Sequence, residues 1–194
     1  MHASAPLSSE TGLIAMRRRE MLLGLFALGC LPALKAAQAK AGSDEVRVEV
    51  FSDDGRSKGV SSQPRVRRSP EQWRAGLSPA AYQVTRESGT ERPFSGQYWN
   101  NHAAGLYRCI CCGTALFHSA TKFESGTGWP SFWKPLSSHN VSEGPNITVV
   151  GRWAPVSCAL CEAHLGHVFD DGPPPTGLRY CINSVALDFH PFVE

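Results

Sequence analysis

The sequence has no apolar run long enough to cross a membrane and no excess of charge of either sign. Its most apolar stretch, MLLGLFALGCLPAL, covers only residues 21–34, whereas a transmembrane helix needs about 20 residues. Residues 1–41 hold five of the 19 basic and two of the 17 acidic residues, so the remainder is close to neutral. These deficits argue against stable membrane insertion and against a basic surface for nucleic acid.

Methionine and long helical patterns are also scarce. The three methionines are Met1, Met16 and Met21, and none follows. From residue 106 onward no segment keeps a 3.6-residue apolar period, and short apolar runs are interrupted by turn-forming residues. With 18 glycines and 14 prolines, this profile predicts a mainly β domain of two antiparallel β-sheets with short helices at its N-terminal end.

The first 41 residues have the composition of an export signal. Arg17, Arg18 and Arg19 precede the apolar stretch, and AAQAKAG follows it with a small-residue A-x-A site. This order is typical of a cleaved secretory signal, and RREML is similar to the twin-arginine pattern. We therefore expect residues 1–41 to be removed and the protein to be exported, in the folded state, to the periplasm.

The remaining chain divides into two predicted parts. Residues 42–68 contain one alternating segment, EVRVEVF (45–51), which predicts a half-buried strand, and then a polar, basic tether over 56–68. The main domain is expected over 69–194. It begins with two Ser-Pro pairs that predict short helices over 70–76 and 79–87, with Ser as the N-cap and Gly89 ending the second helix.

Four of the cysteines form two C-x-x-C pairs that are typical of a structural zinc site. Cys109 and Cys112 form the first pair, and Cys158 and Cys161 form the second. Two such turns supply four thiolates for a tetrahedral Zn²⁺ that has no open coordination position. Cys111 is left over. The alternative interpretation is a set of disulfides, which an exported protein could form.

Two other uses of these pairs are disfavoured. A zinc deaminase needs an H-x-E motif in addition to P-C-x-x-C, and the sequence contains no H-x-E. A thioredoxin-like dithiol needs a C-x-x-C in a βαβ unit, which neither pair has. The pairs therefore indicate a site that stabilises the fold.

Two long segments resemble the B-type methionine sulfoxide reductases. They are TKFESGTGWPSFW (121–133) and CEAHLGHVFDDGPPPTGLRYCINS (161–184), and together with the two cysteine pairs they extend the resemblance over residues 69–189, more weakly back to 46. The resemblance implies reduction of the R epimer of methionine sulfoxide, in proteins or peptides, to methionine. It also implies a mainly β domain with a structural zinc ion.

The solitary Cys181 is the expected nucleophile. A thiolate that attacks the sulfoxide sulfur becomes a sulfenic acid, and the charge of Arg179, two residues away, is expected to lower the pKa of the thiol. Asn183 projects on the same strand face as Cys181. The resemblance implies that His167 and Asn183 bind the sulfoxide oxygen, and that His167 helps to protonate it.

Three further residues are expected to bind the substrate. By the resemblance, Trp129 packs its indole on the S-methyl group, for which an aromatic face suits an apolar methyl. Phe169 is expected to line the same pocket. His164, three residues before His167, is predicted to form a wall of that pocket, although a histidine next to a zinc knuckle could also be purely structural.

The sequence departs from the family pattern in one place. Many members have a resolving cysteine where this chain has Thr127, so the sulfenic acid lacks its usual partner for disulfide formation. The remaining routes are Cys111 as a resolving thiol, an external thiol, or a thioredoxin-like reductant acting on the sulfenic acid directly.

Two rival functions remain open from the residues. A zinc-ribbon binding module would need the cysteine pairs but not the combination of Trp129, His167, Cys181 and Asn183. A thiol peroxidase would share Cys181 but would not need an aromatic surface for a methyl group. The lack of methionine after residue 21 fits an enzyme that works among oxidants.

Overall fold

The computed structural model describes residues 44–193. The predicted export signal, residues 1–41, lies outside them. The described chain contains eleven strands, β1 to β11, two α-helices, α1 and α2, and two short 3₁₀ helices, Ser119–Thr121 and Ser184–Ala186. In chain order the elements are Glu45–Phe51 (β1), Ser57–Pro64 (β2), Pro70–Gly76 (α1), Pro79–Glu87 (α2), Gly105–Cys109 (β3), Ala115–His118 (β4), Lys122–Phe123 (β5), Ser131–Phe132 (β6), Val141–Glu143 (β7), Trp153–Cys158 (β8), His164–Phe169 (β9), Arg179–Ile182 (β10) and Leu187–Pro191 (β11). Within the described residues, no helix is long and apolar enough to cross a membrane.

The two helices begin where the sequence predicts. The Ser69 hydroxyl accepts the N–H of Gln72 at 3.3 Å, and the Gln72 side chain accepts the N–H of Ser69 at 2.9 Å. This reciprocal pair satisfies two backbone donors that the first turn of α1 leaves without partners. The helix α2 has Ser78 as its N-cap but ends on Ser88, which takes the left-handed conformation (φ 56°) just before Gly89.

Two antiparallel sheets enclose the core, as predicted. Six strands pair in the order β5-β6-β10-β9-β8-β7, and three pair in the order β11-β3-β4. Aromatic side chains of the two sheets meet between them: Phe117 stacks on Phe132 at 4.4 Å, and Tyr107 lies edge-on to Phe132 at 5.0 Å between ring centres. All three are fully buried, so the apolar area they remove from water holds the sheets together.

The prediction of a tether over residues 56–68 is wrong for most of that segment. Ser57–Pro64 forms β2 and pairs antiparallel with β1, although nearly all of its residues are exposed. The turn between the strands uses Gly55 at φ 81°. Val48 is buried, and the Asn140 side chain both donates to and accepts from the Glu49 backbone at 2.8 Å. The hairpin is therefore attached to the domain.

The strand β10 lies inside the six-stranded sheet and carries the solitary thiol. Cys181 is paired with His167 on β9 and with Ser131 on β6. Next to this position the backbones approach closely at Gly166, where an added Cβ would lie 2.1 Å from the carbonyl oxygen of Cys181. Only glycine fits there, and the register between β8 and β9 shifts at the same point, which is typical of a β-bulge.

Candidate active site and metal centre

The two C-x-x-C turns bring four thiols together. The Sγ atoms of the four cysteines lie within 4.8 Å of one another, and the pairs Cys109–Cys161 and Cys112–Cys158 are each 3.6 Å apart. A tetrahedral zinc ion with Zn–S bonds of 2.3 Å separates its sulfurs by about 3.8 Å, whereas a disulfide needs about 2.05 Å. The cluster is therefore consistent with a bound zinc ion, and the disulfide interpretation is wrong for these pairs.

Each turn is closed by a residue of positive φ. Gly113 (φ 76°) donates its N–H to the carbonyl of Cys109 at 2.8 Å, and Glu162 (φ 58°) donates to the carbonyl of Cys158 at 2.9 Å. Three of the four cluster cysteines are buried. A metal ion bound to all four thiols would fix the loops that follow β3 and β8.

Cys111 lies with the cluster. Its buried thiol lies near Cys109, Cys161 and the Thr85 hydroxyl. It does not line the cavity that contains Cys181. Cys111 and Cys181, the two thiols that the sequence does not assign to the zinc site, therefore have different surroundings.

Cys181 opens into a cavity of about 260 Å³. The strands β8, β9 and β10 form its floor, and the segments around residues 90 and 129 form its walls. Because Cys181 and His167 are directly paired, their side chains lie about 5 Å apart. The lining residues are Thr90, Trp129, Trp153, Gly166, His167, Phe169, Cys181 and Asn183.

Burial dominates the electrostatics of the thiol. It raises the pKa of Cys181 above the ordinary value of 9.0, and the Thr127 hydroxyl, the Arg179 charge and the Ser131 hydroxyl oppose this shift without cancelling it. Arg179 acts to lower the pKa of the thiol, as expected, but its effect is smaller than that of burial, so the net pKa is raised. Burial destabilises the thiolate by more free energy than these neighbours stabilise it.

Arg179 is held beside the cavity. Its guanidinium donates two hydrogen bonds of 2.8 Å to the Asp171 carboxylate and lies 4.2 Å from the Phe169 ring centre. It is not among the residues that line the cavity. Its direct partners are thus a carboxylate and an aromatic face, and its charge reaches the thiol only as one of several influences.

Aromatic side chains form most of the cavity surface. The rings of Trp153 and Phe169 are stacked with centres 6.3 Å apart, and the edge of Trp153 meets His167 at 5.9 Å. The Trp129 indole donates its N–H to the carbonyl of Glu91 at 3.2 Å. This bond uses the polar edge of Trp129, so that its apolar face remains for a ligand.

Polar groups of the cavity come from His167 and Asn183. Burial lowers the pKa of His167, so the imidazole is neutral at pH 7 and retains one N–H donor. The buried Asn183 amide accepts the N–H of Glu91 at 2.9 Å and donates to the carbonyl of Leu165 at 2.9 Å. One amide hydrogen of Asn183 is left to face the cavity.

His164 does not line the cavity of Cys181, which corrects the prediction that it forms a wall there. It lines an adjoining cavity, with its ring centre 5.3 Å from that of His167. On a regular strand, residues three apart point to opposite faces, and the β-bulge between the two histidines instead brings the ring of His164 beside that of His167. Burial and the charge of His167 lower the pKa of His164 to about 4.

Sequence reasoning missed Trp153 and the hydroxyl group next to the thiol. Trp153 is paired with Phe169 across β8 and β9, so only knowledge of the strand register could have placed it in the cavity. The Thr127 hydroxyl lies 3.8 Å from the Cys181 sulfur and 2.8 Å from the Ser125 hydroxyl. The threonine at residue 127, where many family members have a cysteine, was a signal that a hydroxyl group lies near Cys181.

A thiol that opens into an aromatic cavity, on an antiparallel β domain with a separate cluster of four cysteines that could hold a metal ion, indicates the class of protein: a thiol-dependent enzyme. Comparison with known proteins identifies the family. The SelR domain family model matches residues 77–191. The chain belongs to this family of B-type methionine sulfoxide reductases, which are oxidoreductases.

Several curated proteins named peptide methionine sulfoxide reductase MsrB are similar to this chain. The protein of Thiobacillus denitrificans is 58% identical over 120 residues, covering 62% of this chain and 91% of the relative. That of Hahella chejuensis is 49% identical over 126 residues, covering 65% and 91%. That of Pseudomonas putida is 55% identical over 127 residues, covering 66% and 96%.

Proposed function

We propose that this enzyme reduces the R epimer of methionine sulfoxide, in oxidised proteins or peptides, with Cys181 as the nucleophile. The observation that carries the proposal is the placement of the Cys181 thiol in an aromatic cavity that also contains His167 and Asn183. The cavity offers an apolar surface for the methylthio end of the substrate and polar groups for its oxygen. Neither a binding module nor a peroxidase requires that combination.

Binding divides the substituents of the sulfoxide sulfur between unlike surfaces. The S-methyl group packs on the faces of Trp129, Trp153 and Phe169. The oxygen faces His167 and the remaining N–H of Asn183. With these two substituents fixed and the rest of the residue leaving through the mouth, only one configuration at sulfur turns toward Cys181. The resemblance of the two long motifs to the family assigns that configuration as R.

The chemical step transfers oxygen from one sulfur to the other. The Cys181 thiolate attacks the sulfoxide sulfur while the oxygen is protonated, and an S–S bond forms. The hydroxyl group then moves to the Cys181 sulfur as the substrate S–O bond and the new S–S bond break, which leaves a sulfenic acid on Cys181 and a thioether. The sum of thiol and sulfoxide is a sulfenic acid and a thioether. The substrate sulfur gains two electrons and the cysteine sulfur loses two. His167 donates a hydrogen bond to the oxygen as its charge develops.

The four cluster cysteines hold a structural zinc ion in this proposal. Zinc bound by four thiolates has no open position for substrate, so it contributes folding free energy and no chemistry. The zinc ion would stabilise the loops that follow β3 and β8, which the cluster joins.

A second thiol must return Cys181 to its reduced state. Thr127 has no sulfur to supply, so we expect a thioredoxin-like reductant to attack the sulfenic acid, which yields water and a mixed disulfide that a further thiol reduces. Cys111 is the alternative within the chain. The composition of residues 1–41 supports export to the periplasm as the place where this occurs.

An epimer-resolved assay tests the proposal. A peptide with one methionine sulfoxide, prepared separately as R and S, is incubated with stoichiometric enzyme and no reductant. We expect one methionine per enzyme from the R peptide, none from the S peptide, and a dimedone-trapped sulfenic acid on Cys181 by mass spectrometry. The Cys181→Ser variant should be slower by on the order of 10³-fold or more.

Two results would contradict the proposal. Reduction that survives in Cys181→Ser would remove the nucleophile. Oxidation of Cys181 by hydrogen peroxide, with release of no methionine from either peptide, would favour the thiol peroxidase instead.

A further inference from the structure

A second cavity of about 670 Å³ adjoins the cavity of Cys181. We call it the arginine cavity, because Arg67, Arg68 and Arg86 line it together with the aromatic side chains of Trp73 and Tyr82, and Glu162 is the only carboxylate among the lining residues. Two of the arginines and Trp73 lie before residue 77, where the family match begins. The family match therefore does not cover these three residues.

The two cavities meet along a shared boundary. His164 in the arginine cavity lies 5.3 Å from His167 in the other, between ring centres. Pro155 in the arginine cavity is the strand partner of His167, and Ser88 is two residues from Thr90. An extended peptide advances about 3.3 Å per residue, so a chain with its methionine sulfoxide at Cys181 reaches the arginine cavity within about three residues.

Two of the three arginines of the arginine cavity have no carboxylate partner within the described chain. Arg67 is paired with Asp44 and, at 3.7 Å, with Glu162. Within residues 44–193, neither Arg68 nor Arg86 has a carboxylate within 4.0 Å. Their guanidinium groups are instead 4.9 Å and 4.7 Å from the centre of the Trp73 ring.

Contacts with Trp73 hold these guanidinium groups in place while leaving donors for a ligand. Stacking on an aromatic face uses the plane of a guanidinium and leaves its edge free to donate hydrogen bonds. Arg86 is fixed further by donating to the carbonyl of Cys161 at 2.9 Å. Groups already held in position bind an anion with a smaller loss of conformational entropy.

We infer that the arginine cavity binds an acidic side chain of the polypeptide substrate, within about three residues of the oxidised methionine, through Arg68 and Arg86. The inference rests on the proposed function, which it refines by naming the preferred sequence context. A concave cavity of about 670 Å³ next to the reacting thiol has room for a short flanking segment with its Asp or Glu, whereas the surface of a reductant protein is broad.

Matched peptides test the inference. Each contains one methionine-R-sulfoxide, and one set has Asp where the other has Asn, at two or three residues before or after it. Single-turnover kcat/KM is measured without reductant. We expect a roughly three- to tenfold preference for the best-placed Asp, which Arg68→Gln reduces and Arg68→Gln with Arg86→Gln abolishes. The exposed Arg56, paired with Asp54, provides the control Arg56→Gln, which changes net charge equally and should keep the preference.

The outcomes separate this inference from the function on which it rests. Equal turnover of the Asp and Asn peptides by the unmodified enzyme would overturn the inference and leave the reductase activity intact. Failure to reduce either peptide would overturn the proposed function itself. If Arg68→Gln slowed only turnover driven by a protein reductant and left the peptide preference unchanged, the cavity would serve the reductant, and the inference would be wrong. Arg68 is exposed, so Arg68→Gln should fold. It remains a valid test even if Arg86→Gln, which loses the hydrogen bond to the Cys161 carbonyl, disturbs the loop that contains Cys161.

Discussion

Two groups of thiols in this domain have opposite surroundings. The four cluster cysteines converge from two loops until their sulfurs lie within 4.8 Å of one another. Cys181 is a single thiol on a central strand, and the Thr127 hydroxyl lies 3.8 Å from its sulfur. In the first group, each thiol has three others as neighbours. In the second, the neighbours are aromatic rings, hydroxyls and one imidazole.

This difference shows how geometry assigns the chemistry of a cysteine. Four convergent sulfurs fill the coordination of a metal ion and leave no orbital for a substrate. A lone sulfur in an aromatic cavity has no partner to oxidise with and no metal to bind, so it stays available to an incoming sulfoxide. The domain can therefore contain six thiols without confusing structural and reactive roles, as long as the two groups remain apart.

Disruption of the cluster should have the largest effect on the molecule. In Cys109→Ser the buried site loses one thiolate, and because metal binding contributes to folding, we expect loss of metal and destabilisation by about 5 kcal/mol or more. Metal analysis and thermal unfolding measure both. The matched control is Cys111→Ser, two residues away, which should retain about one metal ion per chain. Full metal content and an unchanged Tm in Cys109→Ser would contradict the structural role.

The second largest expected effect is a difference in alkylation rate between Cys181 and the four cluster cysteines across a pH series. Because burial raises the pKa of Cys181 above 9.0, its thiolate fraction should increase about tenfold for each pH unit from 6 to 9. The rate of its reaction with iodoacetamide should increase in the same way, followed by mass spectrometry of the peptide that contains residue 181. The four cluster cysteines should remain unmodified while metal is bound.

The shape of that profile can contradict the electrostatic argument. A plateau below pH 7 would mean that Arg179 and Thr127 outweigh burial and hold the thiol ionised. Alkylation of the cluster cysteines in the metal-loaded protein, at a rate similar to Cys181, would remove the distinction between the groups.

Features set by neighbouring residues in the sequence were predictable, and features set by distant contacts were not. The helix starts depend on Ser69 and Ser78 three residues from their partners, and the cysteine turns depend on spacing. The strand β2 forms only because its backbone pairs with β1, which composition does not reveal. The raised pKa of Cys181 and the position of His164 arise from burial and from the bulge at Gly166, which depend on the assembled sheet.

Truncation of Trp153 should have a smaller effect, confined to binding. Trp153 is 43% exposed, so Trp153→Ala should fold, but it removes an aromatic face beside His167 and Phe169. We expect an increase in KM of about tenfold for the sulfoxide peptide with little change in kcat, as measured by steady-state kinetics. Trp133→Ala, which alters a tryptophan outside the cavity, is the control. An equal change in both variants would indicate general destabilisation.

Replacement of Cys111 should have the smallest effect if the two groups of thiols act independently. Because Cys111 lies near the cluster and the Thr85 hydroxyl and does not line the cavity, its thiol should not reach the sulfenic acid on Cys181. Cys111→Ser should therefore turn over at close to the unmodified rate with excess small-molecule thiol, and at the same rate with a thioredoxin-like reductant. A normal first turnover followed by a loss of the later ones would instead make Cys111 the resolving thiol. The loop between Cys109 and Cys112 would then have to move during catalysis, and the structural and reactive thiols would be coupled.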